Sequence, residues 1–121
     1  MFPIQWRLEM PAGKLDITID QGSDFELSIQ IYEDDAVKNL SGYDARAQLR
    51  KKTDSPHKVD FVTTGSSFDA TGTVKITLAN SVTKGIDAGD YVYDLEIFES
   101  GDSTVTRILQ GKATVTGEVT R

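Results

Sequence analysis

Apolar and polar side chains alternate along most of this chain with a period of two residues, and this pattern constrains its fold more than any other feature. Clear examples are residues 4–10, 15–19, 25–31, 43–49, 74–78 and 91–97. Successive side chains of a β-strand point to opposite faces, so each segment would have one apolar and one polar face. With the short segment 59–62 and the segment 105–116, we count eight strand candidates.

The connections between these segments carry Gly and Asp, and we find no amphipathic helix. Such spacing is typical of a sandwich or a barrel. We therefore predict an all-β, Ig-like antiparallel β-sandwich of about eight strands, with a small β-barrel as the second choice. The chain of 121 residues has the size of one domain.

Three local features refine this prediction. Residues 79–90 could form a short helical turn with Val82 and Ile86 on one side, and Val37 and Leu40 could reach the core from the polar segment 33–42. Gly111 interrupts a strand candidate, which indicates a bulge or a close approach of another backbone segment.

Charge and composition exclude several function classes. The net charge is −6, and the densest cationic group, Arg46, Arg50, Lys51 and Lys52, is short and soon followed by Asp54. Nucleic-acid binding needs a larger basic surface to neutralise phosphates, so we expect no nucleic-acid partner. The chain has no cysteine, which excludes disulfides and thiolate metal sites.

No apolar run approaches the ~20 residues needed to span a bilayer. The first ten residues also lack the basic start and the apolar run of a signal peptide. We therefore expect no membrane partner, and we expect the protein to be synthesised in the cytoplasm.

The inventory of reactive side chains argues against an enzyme. His57 is the single histidine, and no Gly-x-Ser-x-Gly motif presents a serine to it. One histidine cannot supply the usual nitrogen ligands of zinc, and neither the acidic segment 33–35 nor the pair Asp87 and Asp90 matches a spaced calcium loop. Glycine-rich phosphate-binding motifs are missing as well. We predict no catalytic residues, no metal and no cofactor.

Some side chains are not fully explained by a sandwich alone. Trp6 could fill the core or an interface. Val92 and Phe98 are apolar residues on the polar face of their strand, which indicates either that this strand is central and covered or that it contacts another chain. Our predicted partner-binding residues are Phe2, Ile4, Trp6, Val92, Phe98, Arg107 and Arg121.

Charged residues also share strand faces. Arg46 and Arg50 lie in phase on one strand candidate, and Asp94 and Glu96 lie in phase on another. If the two strands are neighbours, we expect cross-strand ion pairs with a structural role.

A series of short motifs occurs in an order that resembles a group of short virion proteins from tailed bacteriophages, which are similar to the Ig-like N-terminal domains of baseplate upper proteins. The motifs are Gln21-Gly22 with Phe25, Leu40-Ser41-Gly42-Tyr43 followed by Ala45-Arg46 and Gln48-Leu49-Arg50, Gly72 with Val74, Ile76 and Leu78, Ala88-Gly89 with Tyr91-Val92-Tyr93-Asp94-Leu95-Glu96, Thr106-Arg107-Ile108-Leu109-Gln110-Gly111, Val115, and Glu118-Val119-Thr120-Arg121. The resemblance covers residues 15–121. Residues 1–14 lie outside it and are interpreted as an added N-terminal strand or arm.

This resemblance implies a non-enzymatic virion structural protein, present in multiple copies and bound to other virion proteins. The expected role is an accessory or adaptor component of the tail or baseplate. A cement protein that decorates the head, bound to the major capsid protein, is the alternative. An added N-terminal strand could pair with the sheet edge of a neighbour.

Another class of function is a carbohydrate-binding sandwich. Its candidate stacking residues are Trp6, Tyr32, Tyr43 and His57. Most aromatic residues of the chain, however, lie in phase with the core.

Overall fold

The structure is a computed structural model, and it describes residues 4–7, 13–33, 36–53, 55–63, 72–99 and 104–119. Within these ranges the chain forms eleven strands and one short helix. In chain order they are β1 (Ile4–Arg7), β2 (Gly13–Lys14), β3 (Ile17–Asp20), β4 (Phe25–Glu33), β5 (Ala36–Val37), β6 (Tyr43–Arg50), β7 (Val59–Asp60), β8 (Val62–Thr63), β9 (Thr73–Leu78), α1 (Asn80–Thr83), β10 (Gly89–Glu99) and β11 (Val105–Thr116).

The strands form two sheets, which confirms the predicted all-β sandwich. The first sheet has the order β1-β4-β9-β8, with β5 also paired to β4. The second has the order β2-β11-β10-β6-β7, with β3 also paired to β11. Most neighbours are antiparallel, but β1 runs parallel to β4, and β2 and β3 run parallel to β11. The sheets are therefore mixed, because the N-terminal strands add in the parallel direction.

The core lies between the inner faces of the two sheets. In the first sheet Leu27 pairs with Ile76 and Ile29 pairs with Val74, and all four are buried. Leu95 is buried at the centre of β10 in the second sheet. Each fully buried aliphatic side chain of this kind stabilises the fold by about 1.5–3 kcal/mol, which explains why the alternation in the sequence specifies the fold class.

The predicted strand at 59–62 is divided between the sheets. β7 pairs with β6 in the second sheet, and β8 pairs with β9 in the first. Phe61 lies between them, and its side chain is buried with its ring centroid 5.9 Å from that of Phe25 and 6.4 Å from that of Tyr93. The chain thus crosses from one sheet to the other at a core residue.

Two expectations about individual apolar residues were wrong. Leu40 is buried as predicted, but Val37 on the short edge strand β5 is 36% exposed. The helical turn forms within residues 79–90 as predicted, with Ile86 buried, but Val82 is 43% exposed. Val82 is exposed because the turn directs Thr83 toward the interior instead.

Thr83 connects the helical turn to the loop after β3. Its hydroxyl donates to the carbonyl oxygen of Ser23 at 2.8 Å and accepts the backbone N–H of Gly22 at 3.1 Å. Gly22 has φ +83°, a conformation that glycine adopts at little cost. The hydroxyl is fully buried, and both of these hydrogen bonds compensate its burial.

The irregularity predicted in the last strand consists of two separate features. Leu95 pairs with Leu109, but Glu96 pairs with Arg107, so Ile108 is an extra residue in a β-bulge. Because of the bulge, Ile108 and Leu109 are both buried, and Arg107 lies on the same face as Glu96.

Gly111 is the second feature, and it confirms the predicted close approach. A Cβ at this position would overlap with the carbonyl oxygen of Leu15. The segment between β2 and β3 therefore lies directly beside β11 in the sheet. The N–H of Leu15 donates to the carbonyl oxygen of Gln110 at 3.0 Å, and the Tyr93 hydroxyl donates to the carbonyl oxygen of Leu15 at 2.6 Å.

The N-terminal strand β1 pairs with β4 of the same chain, where Ile4 lies beside Ile29 and Trp6 beside Ile31. The proposed division of the chain into residues 1–14 and 15–121 stays a prediction. Within the described ranges, no helix has the length and apolar character that a membrane span requires.

Candidate functional site

The outer face of the second sheet carries most of the features that suggest a binding surface. The register of β6, β10 and β11 arranges its side chains in rows across the three strands. The rows are Arg50, Val92 and Lys112; Gln48, Asp94 and Gln110; and Arg46, Glu96 and Arg107. Eight of these nine side chains are polar, as expected for a sheet face that is not covered by the core.

An open groove of about 560 Å³ lies on this face. We call it the outer groove and define it by six of its lining residues: Lys14, Arg50, Val92, Asp94, Arg107 and Lys112. Strands β2, β6, β10 and β11 all contribute to it. Since β2 is the neighbour of β11 in this sheet, the groove depends on the pairing of β2 with β11.

A partly exposed ion pair lies at one side of this face. Strands β6 and β10 are neighbours, and Arg46 Nε lies 2.8 Å from Glu96 Oε1, so one of the expected cross-strand ion pairs forms. The guanidinium carbon of Arg46 also lies 4.6 Å from the ring centroid of Phe98. Phe98 is half-buried beneath this cation, which accounts for an aromatic residue on a polar face.

Asp94 lies at the centre of the groove, in an environment that disfavours the charged form of its carboxyl group. Partial burial raises the pKa of its carboxyl group, and the neighbouring charge of Glu96 raises it further. Arg107, Arg50 and Arg46 act in the opposite direction but do not cancel this effect. The closest cation is Arg107, whose Nε lies 3.7 Å from Asp94 Oδ2, too far for a hydrogen bond.

The two arginines at the groove are oriented by neutral acceptors. Arg50 donates to the carbonyl oxygen of Ser55 and, at 3.0 Å, to Gln48 Oε1. Arg107 Nη1 donates to Gln110 Oε1 at 3.3 Å. These contacts orient both guanidinium groups without neutralising their charge.

The lysines of the groove are less constrained. Within the residues that the structure describes, the ammonium groups of Lys14 and Lys112 have no ion-pair partner. Asp16 is close to both in the chain fold, but its Oδ1 accepts the backbone N–H of Lys112 at 3.0 Å. The groove therefore contains two lysines that form no ion pair with a described residue.

The structure brings together three of the predicted partner-binding residues. Val92, Phe98 and Arg107 all lie on the outer face of the second sheet. Val92 is half-buried in the groove between Arg50 and Lys112, and Arg107 is exposed.

The remaining predicted residues lie elsewhere. Ile4 and Trp6 are in β1, in the first sheet, so they do not belong to this surface. Phe2 and Arg121 lie outside the described residues. The sequence analysis missed Lys14 and Lys112: the alternation places Lys112 in phase with Gln110, but nothing in the sequence indicates that Lys14 lies beside them.

The candidate residues for chemistry do not converge. His57 is exposed in a loop, and Asp87 and Asp90 are exposed near the start of β10. Within the described ranges, no group of three or more His, Cys, Asp or Glu side chains could hold a metal ion.

The aromatic residues suggested for carbohydrate stacking are also dispersed. Tyr43 begins β6, whereas His57 precedes β7, which pairs with Leu49 near the other end of β6. Six residues of extended strand separate these ends by about 20 Å. Tyr32 belongs to β4 in the other sheet. These three side chains do not form one stacking platform.

No protein-family model matches this chain, and no curated protein matches it in sequence. Among solved structures, it is similar to the N-terminal domain of phage TP901-1 ORF48, with a TM-score of 0.54 and 17% sequence identity over 93% of this chain and 94% of that chain. It also matches Listeria monocytogenes InlP with a TM-score of 0.48 and 13% identity over 87% of this chain and 28% of that chain, too low a similarity to support an argument.

Altogether 135 solved chains match this structure, and a fold so widely shared does not specify one function. At these identities the comparisons establish the fold alone. The chain has the fold of a domain from a phage protein along nearly the full length of both.

Proposed function

We propose that this protein is a non-enzymatic structural component of a phage particle that docks onto other virion proteins. The observation that carries the proposal is the similarity to the N-terminal domain of phage TP901-1 ORF48, which extends over 93% of this chain. The order of sequence motifs from Gln21 to Arg121 supports the same role independently of the structure. In this proposal the protein is synthesised in the host cytoplasm and becomes part of the virion.

The geometry is compatible with docking and offers no centre for catalysis among the described residues. A reaction would need a nucleophile, a base or a metal in one cleft. The outer groove instead combines charged side chains, half-buried Val92 and an open shape. Such a surface suits contact with another protein, in which an apolar centre is surrounded by polar groups.

Within the particle, we propose an accessory or adaptor role at the tail or baseplate. The sequence motifs support this location because they resemble the N-terminal domains of baseplate upper proteins. Decoration of the head is the alternative, in which the major capsid protein would be the partner. Both roles require several copies per particle, since tails and heads are symmetric assemblies.

The test is to purify particles of the phage that encodes the chain and to analyse them by mass spectrometry and cryo-electron microscopy. We expect the protein in particles, in a copy number that follows the rotational symmetry of the tail. Many copies distributed over the head would replace the adaptor role with decoration. Absence of the chain from purified particles would refute a virion role.

A further inference from the structure

We propose that the outer groove binds carboxylate side chains from an extended acidic segment of a partner protein. This inference rests on the proposed docking function and assigns it a surface and a partner chemistry. It follows from three observations: an excess of cations in the groove, the arrangement of three of them along the direction of β11, and the acidic residues beyond the two ends of this row of cations.

The groove has the opposite charge from the molecule as a whole. The chain has 19 acidic and 13 basic residues. The groove, in contrast, is lined by four cationic side chains and only two carboxylates, those of Asp16 and Asp94. A cationic cleft attracts anionic groups locally even when the protein as a whole carries a net negative charge.

The two carboxylates of the groove do not neutralise its lysines. Asp16 accepts a hydrogen bond from the backbone N–H of Lys112, and Asp94 faces Arg107. Within the described residues the ammonium groups of Lys14 and Lys112 have no ion-pair partner. Binding an external carboxylate would therefore not require an existing ion pair of these lysines to break.

The cations follow the direction of β11. Lys14 lies beside Gln110, Lys112 lies two residues further along the same face, and Arg107 lies near the other end of the groove. Because of the bulge at Ile108, Arg107 and Lys112 are separated by about four strand steps, or about 14 Å. An extended segment with acidic side chains at alternate positions matches this spacing, since its side chains on one face recur every two residues.

Val92 gives the groove a partly apolar floor between Arg50 and Lys112. A bound segment would cover this side chain and exclude water from the surrounding charges. Ion pairs formed there would be stronger than fully exposed pairs, because the effective dielectric constant falls as water is displaced.

Carboxylates at both ends of the face favour a protein segment over a nucleic acid. Beyond Lys112, the next outward residue of β10 is Asp90, whose carboxylate lies 3.4 Å from the Thr114 hydroxyl. At the other end, one outward row beyond Arg107, lies Asp44. A nucleic-acid strand carries phosphates along its whole length and would meet these carboxylates, whereas a short acidic segment would end before them.

The experiment uses the full chain labelled with ¹⁵N and measures amide shifts on adding a hexaglutamate peptide, with a hexaglutamine peptide as the neutral control. We expect shifts concentrated at Val92, Gly111 and Lys112, and none with hexaglutamine. The variant K14E/K112E should bind hexaglutamate about tenfold more weakly, because two attractive contacts become repulsive.

The matched control variant is K75E/K84E, which changes the net charge equally. Lys75 belongs to β9 of the first sheet and Lys84 follows the helical turn, so both are remote from the groove. We expect its affinity to stay within about twofold of the unsubstituted chain. If K14E/K112E does not fold, K112Q, which removes a single charge, should still weaken binding.

An equal loss of affinity in both double variants would overturn the inference, because it would show a response to net charge alone. Tighter binding of an oligothymidylate with the same number of charges would replace the acidic segment with a nucleic acid. If hexaglutamate does not bind but particles contain the protein, only this inference fails. If hexaglutamate binds but particles lack the protein, the virion role fails and the binding site remains.

Discussion

The substitution Gly111→Ala tests how the N-terminal strands are attached to the second sheet. A Cβ at this position would overlap with the carbonyl oxygen of Leu15 and lie 2.8 Å from its carbonyl carbon. Both are backbone atoms, which cannot rotate away as a flexible side chain can. Alanine should therefore displace Leu15 from β11.

Three hydrogen bonds depend on the position of this segment. Two involve Leu15, through its N–H to Gln110 and its carbonyl oxygen to Tyr93, and the third joins Asp16 to the N–H of Lys112. Each contributes about 1 kcal/mol net, so their loss should reduce the free energy of unfolding by about 3 kcal/mol. Overpacking of a well-packed site by itself costs about 1–3 kcal/mol, which is consistent with this figure.

Equilibrium unfolding in urea, followed by circular dichroism, measures this loss as a lower midpoint with an unchanged slope. A domain of this kind has a total stability of about 5–15 kcal/mol, so Gly111→Ala should remain folded without denaturant. Gly85→Ala is the matched control, because its nearest contact would be the carbonyl oxygen of Val82 at 3.6 Å. We expect it to change stability by less than about 0.5 kcal/mol.

A loss at Gly111 no larger than the loss at Gly85 would refute the steric argument. A double-mutant cycle adds a second test. Tyr93→Phe removes the hydroxyl that donates to Leu15, so Gly111→Ala and Tyr93→Phe break one contact in common. Their combined effect should be smaller than the sum of the two, whereas strict additivity would show that Gly111→Ala leaves Leu15 in place.

Three further predictions concern single side chains and their pairs. Burial raises the pKa of Tyr93 to about 12, so the native state holds a proton that the unfolded state releases near pH 10. The free energy of unfolding should therefore fall between pH 10 and pH 12, by up to about 3 kcal/mol more in the unsubstituted chain than in Tyr93→Phe. The same dependence of stability on pH in both proteins would contradict this. Thr83→Val should cost about 1–3 kcal/mol in urea unfolding, because it removes the buried hydroxyl that donates to Ser23, and a neutral effect would mean that this bond adds no stability. Arg46 and Glu96 are partly exposed, so a double-mutant cycle should give a coupling of about 0.2–1 kcal/mol that decreases in high salt. A coupling that is independent of salt would show that the pair is effectively buried.

The outer groove depends on two irregular positions in β11. Without the bulge at Ile108, the strand register would place this isoleucine opposite Glu96 on the outer face and Arg107 on the inner face. Without glycine at position 111, the segment that carries Lys14 could not lie against β11. Both features interrupt the alternation of the last strand, and both help to place cations in the groove.

The fold class and the core faces of the long strands could be predicted from the sequence alone, and so could the in-phase charges on β6 and β10, although not that these strands are neighbours. These properties follow from local periodicity, because burial of one strand face requires apolar residues at every second position. Leu40 was also recognised as a core residue. The close approach at Gly111 was detectable because a glycine within a strand weakens it unless another segment needs the space.

The neighbours of each strand, and the contacts between residues distant in sequence, follow only from the three-dimensional packing of the two sheets. The division of residues 59–63 between two sheets depends on the packing of Phe61, and the site of the bulge depends on the register of β10 and β11. Lys14 and Lys112 share a groove because β2, near the start of the sequence, pairs in parallel with β11, near its end. Such pairing between distant segments depends on how the two whole sheets pack, and it cannot be read from the periodicity of a single segment.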